Sequence, residues 1–169
     1  MTWKLLKTII ILPGTVLVFV PAVILISTYN TGFSSELIGP GKFLFWPSLT
    51  AAGLGFFLAG WTVTLFIKFG QGTPAPWDPP EKLVVRGPYR YVRNPMITSV
   101  LLMLIAEALL IQSWPIFFWM VFFYLANVIY FPLFEEKSLE KRFGEEYRIY
   151  KKHVPRWIPR LTPWNLQVK

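Results

Sequence analysis

Long apolar runs alternate with short polar connections along this chain, and four such runs stand out. Residues 5–26 (LLKTIIILPGTVLVFVPAVILI), 43–66, 95–110 and 115–134 are apolar enough to predict membrane-spanning helices, which need about 20 residues to cross the hydrocarbon core. Lys4 and Lys7 precede most of the first run, as they would in a secretory leader. Its apolar core is too long for one, however, and no small-residue cleavage site follows. Pro13 and Pro21 predict a bend in that helix. In the second run Ala51, Gly55 and Ala59 recur every four residues, a stripe that lets a neighbouring helix approach closely. Gln112 and Ser113 make a tight hairpin between the third run and Trp114 at the start of the fourth, so those two helices are antiparallel neighbours.

The polar stretches carry a different signal. Residues 81–97 read EKLVVRGPYRYVRNPMI. Lys82, Arg86, Arg90 and Arg93, with Lys68 close by, are expected to converge there with Tyr89 and Tyr91. Gly87-Pro88 predicts a turn, because glycine tolerates unusual dihedrals and proline presets its own φ. Asn94-Pro95 predicts a helix start, with Asn94 as the cap and Pro95 in the first turn. Upstream, residues 70–80 (GQGTPAPWDPP) hold four prolines and two glycines and can form neither regular helix nor strand. Their backbone must be solvated or folded over the polar site as a rigid lid, with Trp77 anchored at headgroup depth. Beyond Pro132, Leu139, Phe143, Tyr147 and Tyr150 recur at helical spacing among charges. That pattern predicts an amphipathic helix lying on the membrane or packing back over the polar loop, with Gly144 as an interruption. Pro155, Pro159 and Pro163, set among Trp157 and Trp164, predict an irregular interfacial end.

Composition narrows the class. The 169 residues make one domain, 1–169, with its polar chemistry in about 65–160. At 54% hydrophobic, 18% aromatic and a mean hydropathy of +0.46, the chain exceeds what a soluble domain of this size carries. A net charge of +8 would suit nucleic acid, but beside long apolar runs it suits anionic lipid headgroups, so no nucleic-acid partner is expected. There is no cysteine, hence no disulfide, thiolate metal site or cysteine nucleophile. The lone His153 leaves no basis for a histidine metal site, and no metal is expected. With the N-terminus inside and an even number of spans, all of the 17 Lys and Arg except Lys42 face the cytoplasm. The expectation is an all-α integral membrane bundle of four transmembrane helices, both termini cytoplasmic, with a cytoplasmic amphipathic C-terminal segment.

This topology brings distant residues to one membrane face. Glu135 and Glu136 stand where the fourth span leaves the bilayer, and Arg93 and Asn94 where the third enters it. An ion pair of Arg93 with one glutamate would by itself clamp the hairpin modestly. It would leave the second carboxylate, the tyrosines and Asn94 without a purpose. Together these groups suit a zwitterionic ligand beside an apolar co-substrate: carboxylates for an ammonium, arginine or phenol for a carboxylate, aromatic faces for a cation. S-adenosylmethionine has those features. Asn127 and Tyr130 share a face of the fourth span, and Glu107 lies on about the Arg93 face roughly 21 Å along the third. Polar groups at such depth must face protein. Clustering of the polar groups at one membrane face argues against a transporter. A non-catalytic lipid-binding or scaffold module is the alternative class.

Two segments, LVVRGPYRYVRNPM before the hairpin and FEEKSLEKRFGEEYRIYKKHVPRWIPR after it, resemble the isoprenylcysteine carboxyl methyltransferase family and the wider group of small membrane methyltransferases that includes the phospholipid methyltransferases. The resemblance covers roughly residues 65–160. It implies S-adenosylmethionine bound at the cytosolic side, with S-adenosylhomocysteine as product, and a lipophilic acceptor entering from the bilayer. By motif position, Val85, Gly87, Tyr89, Asn94, Pro95 and Glu135 would contact the cofactor, Glu135 at its ammonium, and Arg93 and Glu136 would align the acceptor. Asn94 stands where many members have histidine, and Ile97 where a tyrosine is usual. Methyl transfer from a sulfonium is an in-line displacement, so alignment and exclusion of water would supply most of the acceleration. Carboxyl, amine, thiol and phenol acceptors all remain open.

Overall fold

The computed structural model describes residue 11 and residues 13–33, 35–70 and 80–165, and every regular element in them is helical. The start of the first apolar run and the expected lid with Trp77 lie outside the described residues. In chain order come a π-helical turn, Thr15–Phe19, and α1, Val20–Thr28; then α2, Phe45–Leu65, with a second π-helical turn, Phe66–Gly70. A 3-10 turn, Gly87–Arg90, leads to α3, Pro95–Leu110, and α4, Trp114–Tyr130. A third π-helical turn, Phe131–Glu135, joins α4 to α5, Glu136–His153.

Two continuous helices, Phe45–Gly70 and Trp114–His153, are long and apolar enough to cross a membrane. Thr15–Thr28 and Pro95–Leu110 are apolar but shorter, so of the four expected spans two meet the length test. The apolar part of the longer helix ends at Phe134. Beyond it α5 carries four glutamates and six lysines or arginines, which hydrocarbon cannot solvate.

α2 and α3 form the closest helix pair. Gly55 is the reason they can. A Cβ there would stand 2.8 Å from Met103 Cγ and 3.0 Å from the Ser99 carbonyl oxygen. The small-residue stripe thus does what its spacing predicts at its centre. Hydroxyls buried in this interface donate to their own helix, Thr62 to the Ala59 carbonyl (2.9 Å) and Ser99 to the Met96 carbonyl (2.6 Å). None needs a partner that lipid cannot supply. The tight α3–α4 link holds Gln112 at φ +50°, and Ser113 caps α4 by accepting the Ile116 N–H. The π-helical turn before α1 is tied to α4 through the Trp119 indole, which donates to the Val16 carbonyl at 3.1 Å.

The outward faces are apolar, with Phe56 and Phe57 on α2 and Phe118, Phe122, Leu125 and Ile129 on α4 all exposed. On the face expected to hold Asn127 and Tyr130, the structure separates the two. Asn127 donates to its own helix at the Phe123 carbonyl (2.7 Å), whereas Tyr130 is exposed and stacks on Phe134. A three-residue offset leaves about 60° between side chains, enough to turn one outward.

Candidate functional site

The polar loop gets its shape from one glycine. Gly87 has φ +53°, and a Cβ there would meet Leu65 and Trp61 of α2 at 3.0 Å. Only glycine accepts both the dihedral and the close approach. Pro88 and Tyr89 are buried beyond it, with the Tyr89 ring edge-on to Phe66 at 5.5 Å. Tyr150 reaches across from α5 and donates its hydroxyl to the Tyr89 carbonyl at 2.7 Å. Burial raises the pKa of both phenols well above the ordinary value, so they stay neutral.

Glu136 is the centre of the site. It is 2% exposed, and three cations hold it. Its Oε1 accepts from Arg93 Nη1 at 2.9 Å and from Arg156 Nε at 2.7 Å. Its Oε2 lies 3.0 Å from Lys151 Nζ, which also reaches Glu140 at 2.7 Å. Burial alone would raise the Glu136 pKa, but the bonds from Arg156 and Lys151 and the charge of Arg93 outweigh it and hold the carboxyl below its usual value. The π-helical turn Phe131–Glu135 precedes this residue directly and sets the register with which α5 leaves α4. Such turns recur at functional sites because they re-aim the side chains beyond them.

α5 and the residues after it close over the loop. Gly144, at φ +56° and ψ −128°, kinks α5 where a side chain would be strained. Tyr147, Tyr150 and Val154 form an apolar cluster against Leu83, Val85 and Trp164. Three backbone bonds then join the C-terminal segment to the loop: Arg93 N–H to the Pro155 carbonyl (2.9 Å), Arg160 N–H to Tyr91 (3.0 Å) and Trp164 N–H to Arg90 (3.0 Å). This strap is pinned at the same place by Arg156 on Glu136.

Of the residues expected to act together, Arg93 and Glu136 meet directly, and Asn94 follows Arg93 at the start of α3. Gly87 and Tyr89 form the adjoining wall, Val85 packs under the strap, and Pro95 is fully buried in the first turn of α3. Asn94 does not cap α3 as expected. Its side chain makes no capping bond, and its Nδ2 is buried without a partner among the described residues. Glu135 points elsewhere than Glu136, since adjacent helical residues differ by roughly 100°. It is half-buried, makes no ion pair among the described residues, and burial raises its pKa against the pull of Arg142.

The expected convergence of loop cations is corrected: Arg86 lies over the Phe69 ring at 4.2 Å, Arg90 donates to the Trp164 carbonyl, and Lys68 and Lys82 are exposed. Tyr150, in the stripe expected to lie on the membrane or pack back over the loop, packs over the loop. Lys151, Arg156 and Trp157 were not anticipated there. The Gly144 kink and the strap deliver them, and helical periodicity cannot carry a register across such a break.

One comparison bears on what this arrangement is for. The family model described as "Phospholipid methyltransferase" matches residues 45–146, more than half the chain. The chain belongs to the phospholipid methyltransferase family. The phospholipid methyltransferase match runs from the first turn of α2 to just past the Gly144 kink, so it includes the loop, Arg93, Asn94, Glu135 and Glu136. It stops short of Lys151, Arg156 and the strap. Methyl transfer and membrane association are the family's properties, in keeping with the two long apolar helices. No curated protein matches the chain.

Proposed function

We propose that this chain is an integral membrane methyltransferase that uses S-adenosylmethionine and acts on a lipophilic acceptor, with four spans and both termini cytoplasmic. The observation that carries the reading is the pairing of Arg93 with buried Glu136 beside two donors, Arg93 Nε and Asn94 Nδ2, that have no partner among the described residues. Asn94 Nδ2 fits the carboxylate of the cofactor's amino-acid end, and Arg93 Nε fits the acceptor group. Glu135, half-buried and without an ion partner among the described residues, fits its ammonium. Val85, Gly87, Tyr89 and Pro95 supply the walls of that pocket. S-adenosylmethionine, when bound, supplies an electrophilic methyl group that needs no covalent help from the protein.

What the residues contribute is placement. Arg93 orients the acceptor group, and Glu136 holds Arg93 in a fixed direction, since its own oxygens are already taken by Arg93, Arg156 and Lys151. The strap and the Tyr147–Tyr150–Val154 cluster exclude water, which strengthens every charge interaction beneath them. The four-span topology is supported by the charge distribution, which leaves only Lys42 on the far side.

Calorimetric titration of the detergent-solubilised protein with S-adenosylhomocysteine tests the cofactor half of this reading. Saturable binding that Asn94→Ala weakens is the expected result. Transfer of label from S-adenosylmethionine into a lipid extract, lost in Arg93→Ala, tests the other half. Absence of saturable binding would return the chain to a lipid-binding or scaffold role.

A further inference from the structure

The strap does not lie flat on the cytoplasmic ends of the helices. Trp157 sets its ring edge-on against two side chains of the α4 helix and its continuation, Tyr124 at 5.2 Å and Phe131 at 6.0 Å. That helix stays apolar as far as Phe134, so the two residues stand about 15 and 5 Å inside its apolar end. The hairpin gives the same depth independently. Pro95 is fifteen residues before Leu110 and Ile129 fifteen after Trp114, which sets Pro95 level with Ile129, about 7 Å inside Phe134. Arg93, just before Pro95, donates its N–H to the Pro155 carbonyl at 2.9 Å, so the strap meets the loop at that level.

Irregular backbone at such a depth survives only where its polar groups are met within the protein. The strap is built that way. Pro155, Pro159 and Pro163 have no N–H to leave unmet. The residues after the last two do have one, and both are paired: Arg160 N–H with the Tyr91 carbonyl and Trp164 N–H with that of Arg90, each at 3.0 Å. Beside these bonds the strap turns apolar side chains outward. Ile158 is 80% exposed and Leu161 99%. Water disfavours such side chains, whereas acyl chains solvate them. They lie near the level of Ile129, Leu133 and Phe134, which are exposed in the same way along the α4 helix. The preceding helix α5, by contrast, exposes Lys137, Lys141 and Lys152.

We propose that Ile158 and Leu161 insert among the lipid acyl chains of the cytoplasmic leaflet, so that the bilayer itself holds the strap closed over the Arg93–Glu136 pair. The strap is then a re-entrant foot in the membrane and not a flap in water. This placement needs α4 to span the membrane and is independent of methyl transfer.

The chain holds no cysteine, so single cysteines can be introduced and spin-labelled without background. Ile158→Cys and Leu161→Cys are compared with Ile129→Cys, exposed on α4, and with Lys152→Cys, exposed near the end of α5, in nanodiscs of dioleoyl phosphatidylcholine. Oxygen, which concentrates in the bilayer, and a water-soluble nickel chelate report the surroundings of each label. Labels at positions 158 and 161 should collide with oxygen as the label at 129 does, and the label at 152 with nickel. Nickel-accessible labels at 158 and 161, with 129 in lipid, overturn the inference. Labels there shielded from both reagents overturn it too, because a protein surface then covers the strap. A nickel-accessible label at 129 would remove the spanning of α4, and the inference with it. Ile158→Ser combined with Leu161→Ser should speed exchange of the Arg160 and Trp164 amides in the same nanodiscs at least about tenfold, through lost apolar burial in lipid, and leave the α2–α3 amides as they were. Strap exchange unaltered by the two serines overturns the holding role of the bilayer. None of these readouts needs a methyl donor, so failure here leaves the transferase reading standing.

Discussion

Replacing Glu136 with alanine should release the C-terminal strap while leaving the helix bundle folded. The side chains of Glu136 and Arg93 are 3% and 9% exposed, so the substitution strands a buried arginine, at a cost of about 3–5 kcal/mol. Arg156 and Lys151 are 25% and 39% exposed, and solvent screening limits their two contacts to about 1 kcal/mol or less each. The stranded Arg93 can regain water only if the strap lifts, so the loss falls on local opening. At the lower bound of about 3 kcal/mol, opening becomes roughly 150-fold more frequent. Hydrogen exchange of the Arg93, Arg160 and Trp164 amides reads this directly, because each is bonded between loop and strap. Lys151→Ala, the control, should accelerate the same amides by no more than about fivefold. Equal effects of the two substitutions would refute the assignment of Glu136 and Arg93 as the buried core of the cluster. So would acceleration in Glu136→Ala that extends equally through the α2–α3 interface.

The same cluster should be sensitive to acid in one direction only. Because the folded state lowers the Glu136 pKa, its stabilisation is complete above the unfolded value of about 4.3 and drains away as pH falls through the lowered one. Strap protection should therefore be flat from pH 7 to about 5 and decline below about 4, and a decline already under way between pH 7 and about 5 would contradict it. Gly55→Ala should separate α2 from α3 and destabilise the bundle by about 1–3 kcal/mol in detergent unfolding, since its Cβ would stand 2.8 Å from Met103 Cγ. Gly53→Ala, in the same helix with nothing within 4 Å, is the neutral comparison. Tyr150→Phe removes a buried 2.7 Å bond to the Tyr89 carbonyl and should cost about 1–3 kcal/mol, measured by the same unfolding assay.

Much of this protein was legible before any coordinates. Apolar runs of helical length, the two-residue link at Gln112 and Ser113, and the Gly55 stripe act through local geometry, and local geometry is written in residue spacing. The meeting of Arg93 with Glu136 followed as well, because a tight hairpin leaves its two outer ends side by side. Tertiary structure alone decided which glutamate turns inward. Glu135 and Glu136 are chemically alike, and their orientation depends on a π-helical turn at Pro132 that adds a residue to the helical register. It also decided that Asn94 leaves its amide nitrogen without a partner among the described residues instead of capping α3. Lys151, Arg156 and Trp157 reach the site only because Gly144 breaks α5 and the chain after Val154 folds back onto the loop. Residue spacing reports a face only while the helix continues. Past a kink, contacts are set by how the whole chain closes on itself.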